Sequence, residues 1–178
     1  SQKDSNVSDP SINDVNKIGT VAKILRVLQM PDGNLTIIIQ GKKRFSIEKL
    51  ISETPFITSS INELKEISPK KDNKTFQATI DSIKDLALKI IDENPNIPTE
   101  ASFAIKNIHS NSFLVNFVSS NMNISVEEKF KILCIDDLQK RALRCLKFMD
   151  VEFQKLSLKN DIQSKVRNDL DQQQREYF

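Results

Sequence analysis

The placement of chain breakers constrains this sequence more than any other feature. All three glycines and all six prolines lie within the first 98 residues, and residues 99–178 contain neither. A stretch of that length without either breaker does not read as sheet or irregular loop, so the second half is expected to be helical almost throughout. The first half carries β-branched runs and turn dipeptides, the marks of strands and hairpins. Two unlike lobes follow, and the expected fold class is α+β.

At 178 residues the chain is long enough to bury a real core. Its formal charge of +2 gives no global pull toward nucleic acid or anionic membrane. The longest apolar run, Ile132-Leu133-Cys134-Ile135, is too short to span a bilayer. The polar start Ser1-Gln2-Lys3-Asp4 leads into no apolar signal segment, so no membrane partner is expected. Cys134 and Cys145 fall on apolar faces of helical patterns and read as free thiols in a reducing compartment, with the cytoplasm as the expected location.

Residues 1–16 are polar, with a Ser8-Asp9-Pro10 turn, and read as a flexible lead-in. A β-lobe is expected over residues 17–68. Ile18 to Leu28 suits a strand partly buried on both faces; Pro31-Asp32-Gly33-Asn34 supplies a turn; Leu35 to Gln40 restarts the strand with three isoleucines. Gly41 is expected to break it. Arg44 to Leu50 alternates again, and Pro55 precedes a fourth strand from Phe56 to about Ile67. Meander pairing is the simplest topology for these strands.

Ser68-Pro69-Lys70-Lys71-Asp72 reads as a linker, and a helical bundle is expected over residues 72–150. Phe76, Ile80, Ile83, Ala87, Ile90 and Ile91 recur at helical spacing up to Asn94-Pro95. Pro98 suits a first helical turn, and Phe113, Leu114, Phe117 and Val118 mark another helix. Ser125-Val126-Glu127-Glu128 is a capping-box sequence, and Asp136 to Gln139 repeats the device with an aspartate. A last helix from Leu138 to Phe178 would be about 60 Å long at about 1.5 Å per residue. Its apolar stripe thins after Leu158 to Ile162, Val166, Leu170 and Tyr177, so residues 151–178, the far half, must project or meet something else.

Three stretches in order carry a resemblance: Ile18-Gly19-Thr20-Val21-Ala22-Lys23-Ile24, Met30-Pro31-Asp32-Gly33 and Gln40-Gly41-Lys42-Lys43-Arg44-Phe45. They are similar to the amino-terminal domain of the ATP-dependent Lon protease family. The tail Ile162-Gln163-Ser164-Lys165-Val166, with Asp171-Gln172-Gln173-Gln174-Arg175-Glu176-Tyr177-Phe178, resembles the segment leading from that domain toward the family's ATPase ring. The resemblance spans about Lys3 to Phe178. It implies a β-lobe like the RNA-binding pseudouridine-synthase-associated fold, with the family's early strands preceding the region that aligns with Ser1. Strands from Ile18 onward are then expected to expose edges or an apolar face, or to be rearranged, disordered or covered by a second copy.

The role implied is a non-catalytic module that recognises unfolded or damaged proteins and helps a hexameric, ATP-driven serine protease assemble. ATP and magnesium are expected for such a full-length enzyme; no cofactor, metal or catalytic residue is expected in this chain. Gly41-Lys42 lacks the other residues of a phosphate-binding loop, with Thr36 and Lys43 where a glycine and a hydroxyl should be. His109, the single histidine, sits beside Ser110 at a helix end and reads as capping or solvated. His109, Cys134 and Cys145 lack the paired spacing of zinc ligands.

The candidate contacts with protein substrates are Met30 and Pro31, an adaptable thioether beside a rigid ring at a hairpin tip, and the terminal Tyr177 and Phe178. Lys42, Lys43 and Arg44 form the densest basic run and are the alternative, nucleic-acid contacts, placed after a strand end. A pure oligomerisation element working through the long helix is the remaining reading.

Overall fold

A computed structural model describes residues 1–176, with side chains through Gln173. The fold is α+β: a three-stranded antiparallel sheet followed by five helices. The chain divides into two compact units, Ser1–Glu66 and the remainder from Ile67.

In the first unit the strands β1 (Ile18–Gln29), β2 (Leu35–Ser52) and β3 (Thr58–Glu63) pair as a meander in the order β1-β2-β3. The hairpin turns where the sequence placed it. Gly33 takes φ +85°, the left-handed conformation that favours glycine, and donates to the Met30 carbonyl at 3.0 Å. Gly41, however, does not end a strand. β2 runs through it as one 18-residue strand because a bulge absorbs one extra residue: Ala22 faces Gly41 while Val21 faces Lys43. The fourth strand of the sequence reading is therefore β3, and it stops at Glu63 rather than near Ile67. Residues 1–16 fold back on themselves through Lys3 N–H to Asp14 O (2.7 Å) and a one-turn 3-10 helix capped by Ser11.

The second unit holds α1 (Lys74–Glu93), α2 (Glu100–Lys106), α3 (Asn111–Asn121), α4 (Val126–Leu133) and α5 (Leu138–Glu176). Its core is the apolar stripe of α1 meeting that of α5. Phe76, Ile80, Ile83, Ala87, Ile90 and Ile91 are buried with Leu138, Ala142, Cys145 and Met149, and Leu114, Val115 and Ile132 close the cluster. Side-chain caps start α1, α3 and α4: Asn73, Ser110 and Ser125 accept from Phe76 N–H, Phe113 N–H and Glu128 N–H.

Two caps differ from expectation. Glu128 caps nothing in return, because Lys131 (3.1 Å) and Arg144 (3.2 Å) take its two carboxylate oxygens. At the start of α5 the cap is Asp137, whose Oδ1 accepts from Lys140 N–H at 2.9 Å, one residue later than read. Arg141 beside it is buried. Its Nε and Nη2 donate to the Ile135 carbonyl (2.9 and 2.6 Å), and its Nη1 donates to Asn116 Oδ1 (3.1 Å).

Along α5, Asn160 donates to the Glu93 carbonyl at the end of α1 (3.1 Å), and every described side chain from Asp161 to Gln173 is exposed. The 39 residues of α5 make it about 58 Å long.

Candidate functional site

No residue of Ser1–Glu66 is buried. The antiparallel register explains what that leaves open. Directly paired residues share a face, so Ile24 with Ile39, Val27 with Ile37, and Leu35 opposite Gln29 lie on one side of the β1–β2 ribbon. The other side mixes Leu28 and Ile38 with Arg26, Lys23, Gln40 and Thr36. The first side is a contiguous apolar surface in the open: Ile24 and Ile39 are each 60 % exposed, Leu35 65 %. Soluble surfaces rarely carry apolar side chains in such a row unless something covers or uses them. The three isoleucines at 37–39 were its sequence signal. Their alternation across the pleat puts two on the apolar side and one on the mixed side.

The ribbon ends in a rigid tip. Met30 N–H donates to Asn34 O at 2.8 Å, and the Asn34 backbone amide and side-chain amide both donate to the Asp32 carboxylate (3.0 and 2.8 Å). Those bonds, the backbone one foremost, hold the Asp32 carboxyl below the ordinary carboxylate range. Met30, 43 % exposed, and Pro31 stand in solvent at this tip. The structure places these two predicted contacts at the open end of the ribbon whose strands carry Ile24, Val27, Ile37 and Ile39. Tyr177 and Phe178 lie outside the described residues.

The basic run is not at a strand end. Lys42, Lys43 and Arg44 sit mid-strand in β2, beside the bulge. Lys43 is paired with Glu63 across β3 at 2.8 Å, Lys42 donates to Gln40 at 2.6 Å, and Arg44 is half-buried opposite Thr20. Charges engaged in this way face different neighbours instead of converging on one anion.

Residues suited to covalent chemistry are dispersed. His109 is exposed in the connection between α2 and α3, and the cap there belongs to Ser110. Cys134 and Cys145 are free thiols; burial pushes the Cys145 thiol up to about 11, partly offset by the Ser119 hydroxyl. Among the described residues no three His, Cys, Asp or Glu side chains gather to hold a metal ion, and no helix is long and apolar enough to cross a membrane.

Comparison with known proteins gives this arrangement a context. The family described as ATP-dependent protease La (LON) substrate-binding domain matches residues 1–151. A Lon protease of Flavobacterium johnsoniae is 64% identical over 170 residues, covering 96% of this chain and 21% of that protein. A Lon protease of Cytophaga hutchinsonii is 46% identical over 177 residues, covering 99% of this chain and 22% of that protein. The chain therefore spans about a fifth of the length of the curated relatives it matches. Among solved structures, the N-terminal domain of a Mycobacterium avium complex Lon protease superposes with a TM-score of 0.65 at 18% identity, over 75% of this chain and 70% of that one. At that identity the likeness concerns the fold.

Proposed function

This chain belongs to the family of ATP-dependent protease La (LON) substrate-binding domains, and from that premise we propose that it captures unfolded or damaged polypeptides for a Lon-type protease. The observation that carries this reading is the uncovered apolar side of the β1–β2 ribbon, Ile24, Val27, Leu35, Ile37 and Ile39, with Met30 and Pro31 exposed at the ribbon's tip. Unfolded chains differ from folded ones in exposing apolar side chains, and an open, flat apolar surface meets them without demanding one sequence. Methionine at the tip adds an adaptable contact.

In this reading the chain holds and delivers, while nucleotide hydrolysis with magnesium and peptide cleavage by a serine nucleophile belong to other parts of the full-length protein. Capture is weak at each copy. Six copies in a ring raise the effective concentration of a tethered segment, so release toward the unfolding machinery is not obstructed by high affinity at one site. The cytoplasm, where misfolded chains accumulate, is the compartment that fits.

The test is binding of a fluorescently labelled, natively unfolded casein to this chain across a salt series. Apolar capture predicts affinity that persists or strengthens as salt rises, and that falls when Ile37 and Ile39 are both replaced by lysine. Affinity that drops steeply with salt and survives that double replacement would locate binding in the charges and overturn the proposal.

A further inference from the structure

The chain enters the second unit at Ile67, and what holds that entry is hydrogen bonding rather than burial. The Ile67 side chain is 61 % exposed. Its N–H donates to Asp136 O and its carbonyl accepts from Leu138 N–H, both at 3.0 Å, forming an isolated parallel bridge to the turn that starts α5. Six residues on, Asn73 returns to the same place: its Nδ2 donates to Gln139 Oε1 at 2.9 Å, while its Oδ1 caps α1 through Phe76 N–H at 2.9 Å. Between these attachments lie Ser68 to Asp72, with Pro69 half-buried and the rest exposed, closed by a turn from Asn73 N–H to Lys70 O at 3.1 Å. Residues 67–73 are thus fastened at both ends to the first turn of α5.

We infer that this segment is a strap that opens and closes on the start of α5 as a unit of its own, separate from the helical core. The leading N–H groups of a helix lack partners within it, and here an external carbonyl, that of Ile67, satisfies the one on Leu138. Closed, the strap completes the capping that Asp137 begins at Lys140. Open, it leaves the first turn of α5 short of a partner and free to fray. Segments held by a few hydrogen bonds and little buried apolar surface open well below the free energy of global unfolding. The core beneath has the opposite character, with Ile83, Leu114 and Val115 fully buried. Because the strap is continuous with Glu66, any pull on the chain ahead of it acts on the beginning of the long helix before it acts on α1. The device is independent of what the chain captures.

Residue-resolved hydrogen exchange on the whole chain tests this. Ile67→Pro removes the donor to Asp136, and Asn73→Ser keeps a cap for α1 while being too short to reach Gln139. In either variant the Leu138 and Lys140 amides are expected to exchange about tenfold faster, the change that losing one hydrogen bond brings. The amides of Ile83 and Val115 should stay within about twofold of the parent. Unchanged exchange at Leu138 would overturn the inference. So would acceleration of Leu138, Ile83 and Val115 together, because the segment would then be part of the global core. Asn73→Ser keeps the test decisive where Ile67→Pro fails to fold.

Discussion

Phe45 lays its ring on the bare α-carbon of Gly19, its cross-strand partner in β1. A Cβ at Gly19 would stand 2.7 Å from Phe45 Cζ. This glycine is required by contact, not by backbone conformation.

Gly19→Ala is therefore expected to displace the Phe45 ring and weaken the β1–β2 ladder by about 1–3 kcal/mol. Gly41→Ala meets only the Thr20 methyl, at 3.1 Å, and should cost less than about 1 kcal/mol. Hydrogen exchange of the ladder amides would rank the two, and an equal effect would contradict the packing argument.

Arg141 carries its charge inside the helical unit, with the Ile135 carbonyl and the Asn116 amide oxygen among its partners. Arg141→Met leaves the Ile135 carbonyl and Asn116 Oδ1 without these donors, and should cost about 3 kcal/mol. Arg141→Lys keeps the charge but not the planar fork, so an intermediate loss is expected. Urea unfolding followed by the helical circular dichroism signal gives both numbers.

The two thiols should separate kinetically. Iodoacetamide is expected to label half-exposed Cys134 in the folded chain and to reach buried Cys145 only on unfolding. The pH dependence follows from the same burial. In the unfolded chain Cys145 ionises near its ordinary 9.0, whereas folded it holds its proton to about 11. Above pH 9 the unfolded state therefore binds fewer protons than the folded one. The stability present below that pH falls as pH rises toward 11, by up to about 2–3 kcal/mol. Cys145→Ala should flatten that decline.

Ser110→Ala removes the acceptor for Phe113 N–H at the start of α3 and should destabilise the helical unit by about 1 kcal/mol. His109→Ala should change stability by less than about 0.5 kcal/mol, because His109 is exposed and the cap is its neighbour's. A larger effect at His109 in thermal unfolding would reverse that assignment.

The helical half was legible because its signals are local. Missing breakers, 3.6-residue periodicity from Phe76 to Ile91 and hydroxyl or amide caps act within a few residues. The hairpin was legible for the same reason, since Asp32-Gly33 dictates its own turn. Gly41 misled because whether a glycine ends a strand or rides through a bulge depends on the partner strand. The fate of Glu128 depended on Arg144, sixteen residues away, and the burial of Arg141 depended on Asn116 and Ile135 meeting it in space. At the candidate site the isoleucines at 37–39 announced a strand. Which of them share a side with Ile24 and Val27 followed from register, and no single strand states its register.

Beyond Asn160, where α5 gives up its last side-chain hydrogen bond to α1, the helix is ruled only by its own screw symmetry. One residue inserted there would swing everything distal by about 100° and push it out by about 1.5 Å. Seven would lengthen it by about 10 Å yet restore the heading to within about 20°. The heading of this shaft is set by counting residues, so evolution or engineering can change its reach while keeping its bearing only by numbers of residues close to whole turns, about seven, eleven or eighteen.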